Sequence, residues 1–341
     1  MKKRYLFIEP DGDISQWMFD ELNQAEDVDV FLSPCNIRSP FLNRLKQLHF
    51  SHLVNRVISL PFKQVWDRCY TIANYPFLPD MEYYIVIGNY AITFFDLNYP
   101  EKLRSRPGLH IRIVLYFTST VHAEYGIAAF QATKKFRFDY IYTFDPEEAR
   151  RYGFYYTGLL YSMHPMERTD ITSDLYYIGV NKENRLSLLR NIHKHLSSHG
   201  KNCDFYLPGV KESDILPDGI HYNQRFPYRE VVQQLQQYHA ILEIQEAQSG
   251  VTLRYFEAVC YNKKLITNNA AVKNLPFYSP ENMLIFQKPE DIDPAWISAG
   301  TCDYGYSGEF SPITWIHRIG SETLEENHLR IPGNTSGTAV H

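Results

Sequence analysis

Short apolar runs alternate with stretches of helical period along this chain, and polar turns separate them. That alternation predicts an α/β protein with parallel strands. Arg4 to Ile8 reads as a strand, Glu9 to Asp13 as a loop, Ile14 to Asn23 as a helix and Val28 to Leu32 as a second strand. Tyr83 to Ile87, Ile111 to Phe117 and Tyr140 to Phe144 follow, each rich in Tyr, Ile or Val and short enough to be a buried parallel strand. After the last, Asp145 and Pro146 cap and start a helix. Its first turn carries Glu147 and Glu148, with Arg150 and Arg151 further along, which suits the helix dipole.

From Asp174 the pattern restarts. Leu175 to Val180 predicts a strand, Asn184 to Ser197 an amphipathic helix, Cys203 to Leu207 a strand, Pro227 to Gln237 a helix and Met283 to Gln287 a further strand. Between the last two lies YHAILEIQEAQSGVTLRYFEAVCYNKKLITNN, residues 238–269. It reads as a strand (Ala240 to Ile244), a polar turn (Gln245 to Gly250), a helix (about Val251 to Tyr261) and a strand (Lys264 to Thr267), a crossover unit that implies parallel pairing. Gly250 lets the backbone come close to a ligand, and the unpaired N–H groups at the helix start attract a phosphate. Glu257, one turn on, is placed to accept hydroxyl hydrogen bonds from a sugar.

Two Rossmann-like domains facing across a cleft are therefore expected: an N-terminal domain over 1–162, a linker over 163–173, a C-terminal domain over 174–321 and a poorly structured tail over 322–341. The stretch Pro312 to Ile319 reads as a helix that crosses back onto the first domain.

Composition narrows the partners. At 341 residues the chain is long enough for two such domains. Its net charge of −5 and isoelectric point near 6.2 argue against a nucleic-acid binder. The five cysteines are scattered and form no zinc knuckle or redox motif, which suits a reducing, cytoplasmic setting. The aromatic content, 26 Tyr, 21 Phe and 4 Trp, suits sugar-binding and membrane-interface surfaces as well as a core. Within residues 33–70, Arg38, Arg44, Lys46, Arg56, Lys63 and Arg68 face a single acid, Asp67, and Leu42, Leu45, Leu48, Leu53, Val54 and Val57 recur at helical spacing. This basic amphipathic region fits the inner face of a membrane or a polyanionic acceptor; its rival is a solvated charged face.

SGVTLRYFEAVCYNKKLITNN, residues 249–269, has the form of a Glu-Gly-Phe-Gly…Glu-Ala helix followed by a Gly-Lys-Pro-Val-Ile strand. In this it resembles bacterial glycosyltransferases of capsular polysaccharide and lipopolysaccharide O-antigen biosynthesis, which have the two-domain GT-B architecture. YIYTFDPEEARRYGF looks like that family's domain-closing segment. The resemblance implies a nucleotide-sugar donor, UDP- or GDP-linked, and a saccharide or lipid-linked saccharide acceptor. It implies that Gly250, Val251 and Thr252 present N–H groups to the donor diphosphate and that Glu257 holds the ribose. The family often has a second glutamate eight positions earlier; here that place is Ser249, and Glu243 or Glu246 would have to substitute. Arg254 stands where the family helix continues apolar and is placed to supply charge to the leaving diphosphate.

Transfer with inversion also needs a base for the acceptor hydroxyl. The loops at strand ends of the first domain offer Asp11, Asp13 and His122, although helix capping competes for Asp13. Asp11-Gly12-Asp13 also fits an Asp-x-Asp metal motif, but Asp27-Val28-Asp29 and Asp291-Ile292-Asp293 repeat the pattern, so no metal is expected to be required. His193, His195 and His199 fall on or beside one helix among polar neighbours, which favours a solvated surface. No Walker loop, nucleophile elbow or Gly-x-Gly-x-x-Gly fingerprint is present. The alternatives are a nucleotide-sugar epimerase of the same fold and a catalytically inactive sugar-binding scaffold.

Overall fold

The computed structural model describes residues 1–331 except 10–11, 34, 36, 38, 52–53, 55–59, 159, 168, 183 and 246–251. The chain divides into two compact units, Met1–Ser162 together with the segment from Phe310 on, and Met163–Glu309.

In the first unit six parallel strands, β1 (Lys2–Ile8), β2 (Val28–Phe31), β3 (Met81–Gly88), β4 (His110–Phe117), β5 (Tyr140–Thr143) and β6 (Tyr155–Tyr156), lie in the order β2-β1-β3-β4-β5-β6. The register aligns Leu6 with Ile85 and Ile85 with Ile113. Successive side chains point to opposite faces, so Leu6, Ile85 and Ile113 enter one core while Tyr5, Tyr84 and Val114 enter the other. Both faces are buried, which is why these strands read as continuous apolar runs.

In the second unit β7 (Ser173–Ile178), β8 (Cys203–Leu207), β9 (His221–Tyr222), β10 (Tyr238–Glu243), β11 (Lys264–Thr267) and β12 (Met283–Ile285) run in the order β12-β11-β10-β7-β8-β9, again all parallel. This is the doubly wound order of a dinucleotide-binding fold. β7 starts at Ser173, inside the span read as a linker, and Thr172 N–H donates to Gln237 O at 2.9 Å.

The segment after Phe310 packs on the first unit. The helix Pro312–Arg318 places Trp315, fully buried, 5.3 Å from the Tyr116 ring and 5.7 Å from that of Tyr142. The expectation of a poorly structured tail from 322 is corrected over its first ten residues. Thr323 and Glu326 form a reciprocal capping box that starts the helix Leu324–His328. Asn327, fully buried, then donates to Tyr156 O at 3.0 Å and accepts from Tyr156 N–H, which satisfies the free edge of β6. Residues 332–341 lie outside the described residues. Among those described, no helix is long and apolar enough to cross a membrane.

Candidate functional site

Doubly wound sheets bind ligands outside the carboxyl ends of their strands, where the strand order reverses. In the second unit that point lies between β7 and β10. The chain leaves β7 through residues 179–184 into the helix Arg185–Ser198, and Arg185 ties the two strand ends together: its guanidinium donates to Val180 O at 2.6 Å and to Ile244 O at 3.3 Å. Beside it opens a cavity of about 370 Å³ lined by Asn184, Arg185, Asn191, Ile244, Gln245 and Asn268. Its amides are fixed in place. Gln245 N–H donates to Asn268 Oδ1 at 2.7 Å, Asn268 Nδ2 donates to Gln245 O at 2.9 Å, and Asn269 Nδ2 donates to Gln245 Oε1 at 2.6 Å. A cation with rigid amide donors at a switch point can hold a phosphate ester and a polar ring.

The helix Leu253–Cys260 begins on the same edge. Thr252 is its N-cap, with Oγ1 accepting from Arg254 N–H at 3.2 Å. Glu243, at the end of β10 and 1% exposed, braces this start: Oε1 accepts from Thr252 N–H at 3.0 Å and Oε2 from the Thr267 hydroxyl at 2.6 Å. Glu243 therefore ties the helix start to the end of β11. Glu257 has no solvent exposure; the Tyr228 hydroxyl donates to Oε1 at 2.6 Å, and Arg254 Nη1 lies 2.6 Å from Oε2. A phenol thus stands where the resemblance implies a ribose hydroxyl. Burial pushes the Glu257 carboxyl up, opposed by Arg254 and the Tyr228 hydrogen bond and reinforced by Glu243. The contact holds the Arg254 guanidinium in place. Glu246, Ser249, Gly250 and Val251 lie outside the described residues.

In the first unit the order reverses between β1 and β3. Glu9 directly follows β1 there, 2% exposed, and its Oε2 accepts from the Tyr116 hydroxyl at 2.6 Å. A side chain on Gly88 would place Cβ 1.7 Å from that oxygen, so the carboxyl would have to move to admit one. Burial pushes Glu9 up to about 8, with the Tyr116 hydrogen bond opposing. The next residues hold the loop after β4: Asn89 Oδ1 accepts from the Thr118 N–H and hydroxyl, both at 2.9 Å, and Nδ2 donates to Ser119 Oγ at 2.8 Å. Glu148 holds the loop from the other side, accepting from Val121 N–H at 2.7 Å and the Thr143 hydroxyl at 3.0 Å. His122 is carried on this loop, exposed and within electrostatic reach of Glu148. Asp13 is exposed in the first turn of the helix Asp13–Phe19; Gly12 occupies the cap position. Asp11 lies outside the described residues. The structure thus places Asp13 in the first turn of the helix that follows β1, and His122 on the loop that follows β4.

The other Asp-x-Asp matches have structural partners. Asp29 pairs with Arg4 at 2.6 Å, and Asp293 caps a helix. Among the described residues no group of three His, Cys, Asp or Glu side chains is placed to hold a metal ion. The sequence reading leaves Arg185 out, takes Glu9 only as the start of a loop and takes Glu148 only as a first-turn helix acid. A basic residue just after the turn following a strand was the available signal for Arg185, and an acid that directly continues an apolar strand was that for Glu9.

No family model and no curated protein matches the sequence. Among solved structures, an α-glucosyltransferase in complex with UDP and a 13-mer DNA containing a central A:G mismatch aligns with a TM-score of 0.52 at 11% identity, over 95% of this chain and 100% of its own. The apo form of the lipopolysaccharide outer core galactosyltransferase WaaB gives 0.47 at 12% identity, over 94% of this chain and 98% of its own. The DNA-modifying enzyme β-glucosyltransferase gives 0.43 at 12% identity, over 96% of each chain. With its two doubly wound parallel sheets, the chain is an α/β protein of GT-B architecture, a fold it shares with the first of these structures.

Proposed function

We propose that the protein is a glycosyltransferase that moves a sugar from a UDP- or GDP-linked donor to a saccharide or lipid-linked saccharide acceptor in surface-polysaccharide synthesis. The observation that carries this reading is the cavity at the β7/β10 switch point, lined by Arg185 and the locked amides Gln245 and Asn268, just beyond Glu243, whose carboxylate holds the start of the Leu253–Cys260 helix. Arg185 and Arg254 neutralise the diphosphate as the glycosidic bond to it breaks; the Thr252 and Arg254 N–H groups are engaged by Glu243 and by the Thr252 hydroxyl, so the N–H groups of the turn before Thr252 are the ones proposed to take its oxygens. Glu257 keeps Arg254 in place through their ion pair. Gly250, Val251, Ser249 and Glu246 belong to the same turn by sequence and are proposed donor contacts. Asp13, Asp11 and His122 are the candidates to take the acceptor proton, with Asn89 and Glu148 holding the loop that carries His122. Because arginines and a helix end supply the positive charge, transfer needs no metal.

A panel of labelled nucleotide sugars offered with lipid-linked saccharides tests this, in the presence of a chelator. We expect transfer from one UDP- or GDP-linked sugar, undiminished by the chelator. Duplex DNA belongs in the acceptor panel because the α-glucosyltransferase of the same fold is complexed with DNA; the net charge of −5 favours an acceptor other than a polyanion. Conversion of the donor without an acceptor would identify an epimerase, and binding without turnover a scaffold. Either result overturns the proposal.

A further inference from the structure

Where the returning helix covers the sheet of the first unit, buried donors lie without acceptors. Tyr142 on β5 and Trp315 on the helix Pro312–Arg318 are fully buried, their ring centroids 5.7 Å apart, and Arg318 follows Trp315 one turn on along the same side of the helix. Among the described residues the Tyr142 hydroxyl, Trp315 Nε1 and Arg318 Nε have no hydrogen-bond partner. Buried polar groups are nearly always hydrogen-bonded, so a cluster of orphans calls for a common partner. Trp315 Nε1 and Arg318 Nε can only donate, which makes that partner an acceptor.

Two guanidinium charges meet at the same place. Burial pushes the Tyr142 phenol up and the Tyr155 and Tyr140 phenols add to it, while Arg318 and Arg330 oppose, so both cations act on this hydroxyl. Arg330 is paired with Glu322, whose Oε1 also accepts from Asn327 Nδ2 at 2.8 Å. Arg318 donates to Thr157 O at 3.5 Å, and among the described residues no carboxylate pairs with it. Burial pulls Arg318 down from its ordinary value, with the Tyr142 phenol opposing; burial and then the Arg318 charge do the same to Arg330. One carboxylate thus answers two guanidiniums. A water molecule could close the hydrogen bonds but would leave the Arg318 charge unanswered, whereas an oxyanion does both.

We propose that Arg318, Arg330 and the Tyr142 hydroxyl bind a phosphate group. The donors come from a strand, a helix and the segment after it, and a tetrahedral oxyanion presents oxygens in several directions where a planar carboxylate presents two. The Arg330 side chain, 38% exposed, stands on the open side. Beside it the half-buried Tyr155 ring lies 5.0 Å from that of Tyr142 and 5.5 Å from that of Tyr140, a surface that suits the C–H face of a sugar. The phosphate is therefore either the free ion or the ester of a hexose. All of these residues belong to the first unit, and none of them lines the cavity beside Arg185.

The test is calorimetric titration of the full chain with inorganic phosphate and with glucose 6-phosphate, at an ionic strength held constant with chloride. It compares the wild type with Arg318→Gln, Tyr142→Phe and Arg185→Ala. Saturable binding that persists in Arg185→Ala and is weakened about tenfold or more in both Arg318→Gln and Tyr142→Phe is the expected result, the loss of one charge-assisted hydrogen bond in each. Tighter binding of the ester than of the free ion assigns the site to a hexose phosphate, and equal binding assigns it to the ion; both support the proposal. Tyr142→Phe removes a hydroxyl that has no protein partner, so in chloride alone its melting temperature is expected to match or exceed that of the wild type, and phosphate is expected to raise the melting temperature of the wild type but not of this variant. A purely structural hydroxyl would give the opposite pattern. Absence of saturable binding, or binding that neither substitution weakens, would overturn the proposal. So would binding lost in Arg185→Ala and kept in Arg318→Gln, which would put the anion in the nucleotide cavity. The proposal does not rest on glycosyl transfer, and its failure leaves that reading untouched.

Discussion

Glu9, directly after the first strand, carries a carboxyl that the fold prefers to keep protonated. Its ordinary value of 4.5 rises to about 8 because burial removes water from the charged form, and the Tyr116 hydroxyl returns only part of that. The folded protein therefore holds a proton that the unfolded chain has released. The associated stability is fully present below pH 4.5 and is lost as pH rises through about 8. Burial also raises Glu257, so it acts with the same sign. Glu9→Gln keeps an acceptor for Tyr116 and removes the ionisation. Chemical denaturation at pH 5 and pH 9 is expected to show a fall in wild-type stability that the variant escapes, by on the order of a few kcal/mol. Parallel pH profiles would show that Glu9 is not the group responsible. At this scale little was legible in the sequence. Asp11 and Asp13 stand out as acids of a polar loop, whereas Glu9 reads only as the first residue of that loop until Gly88 and Tyr116 are seen to close over it.

At the scale of elements, the Leu253–Cys260 helix is too short to be stable by propensity and depends on its cap and its buried face. Thr252→Ala removes the hydroxyl that accepts from Arg254 N–H, and is expected to lower stability by about 1 kcal/mol in urea denaturation. An unchanged midpoint would mean that the brace from Glu243 alone holds the helix start. Elements of this kind were well read from the sequence. β8 and β11 begin and end where their apolar runs do. β6 and β9 were missed, since two residues at a sheet edge carry no period and exist only through pairing with β5 and β8. The Leu324–His328 helix was missed although its Thr-x-x-Glu capping box is in the sequence; no apolar stripe follows it, and its stability comes from Asn327 bonding β6. The 40–50 helix was read by its period, but which face it hides is set by the ring faces around Lys46.

At the scale of the whole molecule, two doubly wound sheets follow from strand-helix alternation, whereas their strand orders do not. Every crossover unit looks alike locally, and the reversals between β1 and β3 and between β7 and β10 are set by which edge each new strand joins. The return of the chain to the first unit was legible because Pro312 starts a short apolar helix, and Trp315 between Tyr116 and Tyr142 anchors it. The reversal between β7 and β10 carries the central claim, that the second unit holds a nucleotide against Arg185. Calorimetric titration of the wild type and Arg185→Ala with UDP and GDP tests it most directly, with the melting temperature of the variant measured alongside. The account expects one of the two nucleotides to bind saturably at one site, and the variant to bind at least about tenfold more weakly, the loss of one charge-assisted hydrogen bond. Absence of binding by either nucleotide, or equal affinity in a folded Arg185→Ala variant, would contradict it.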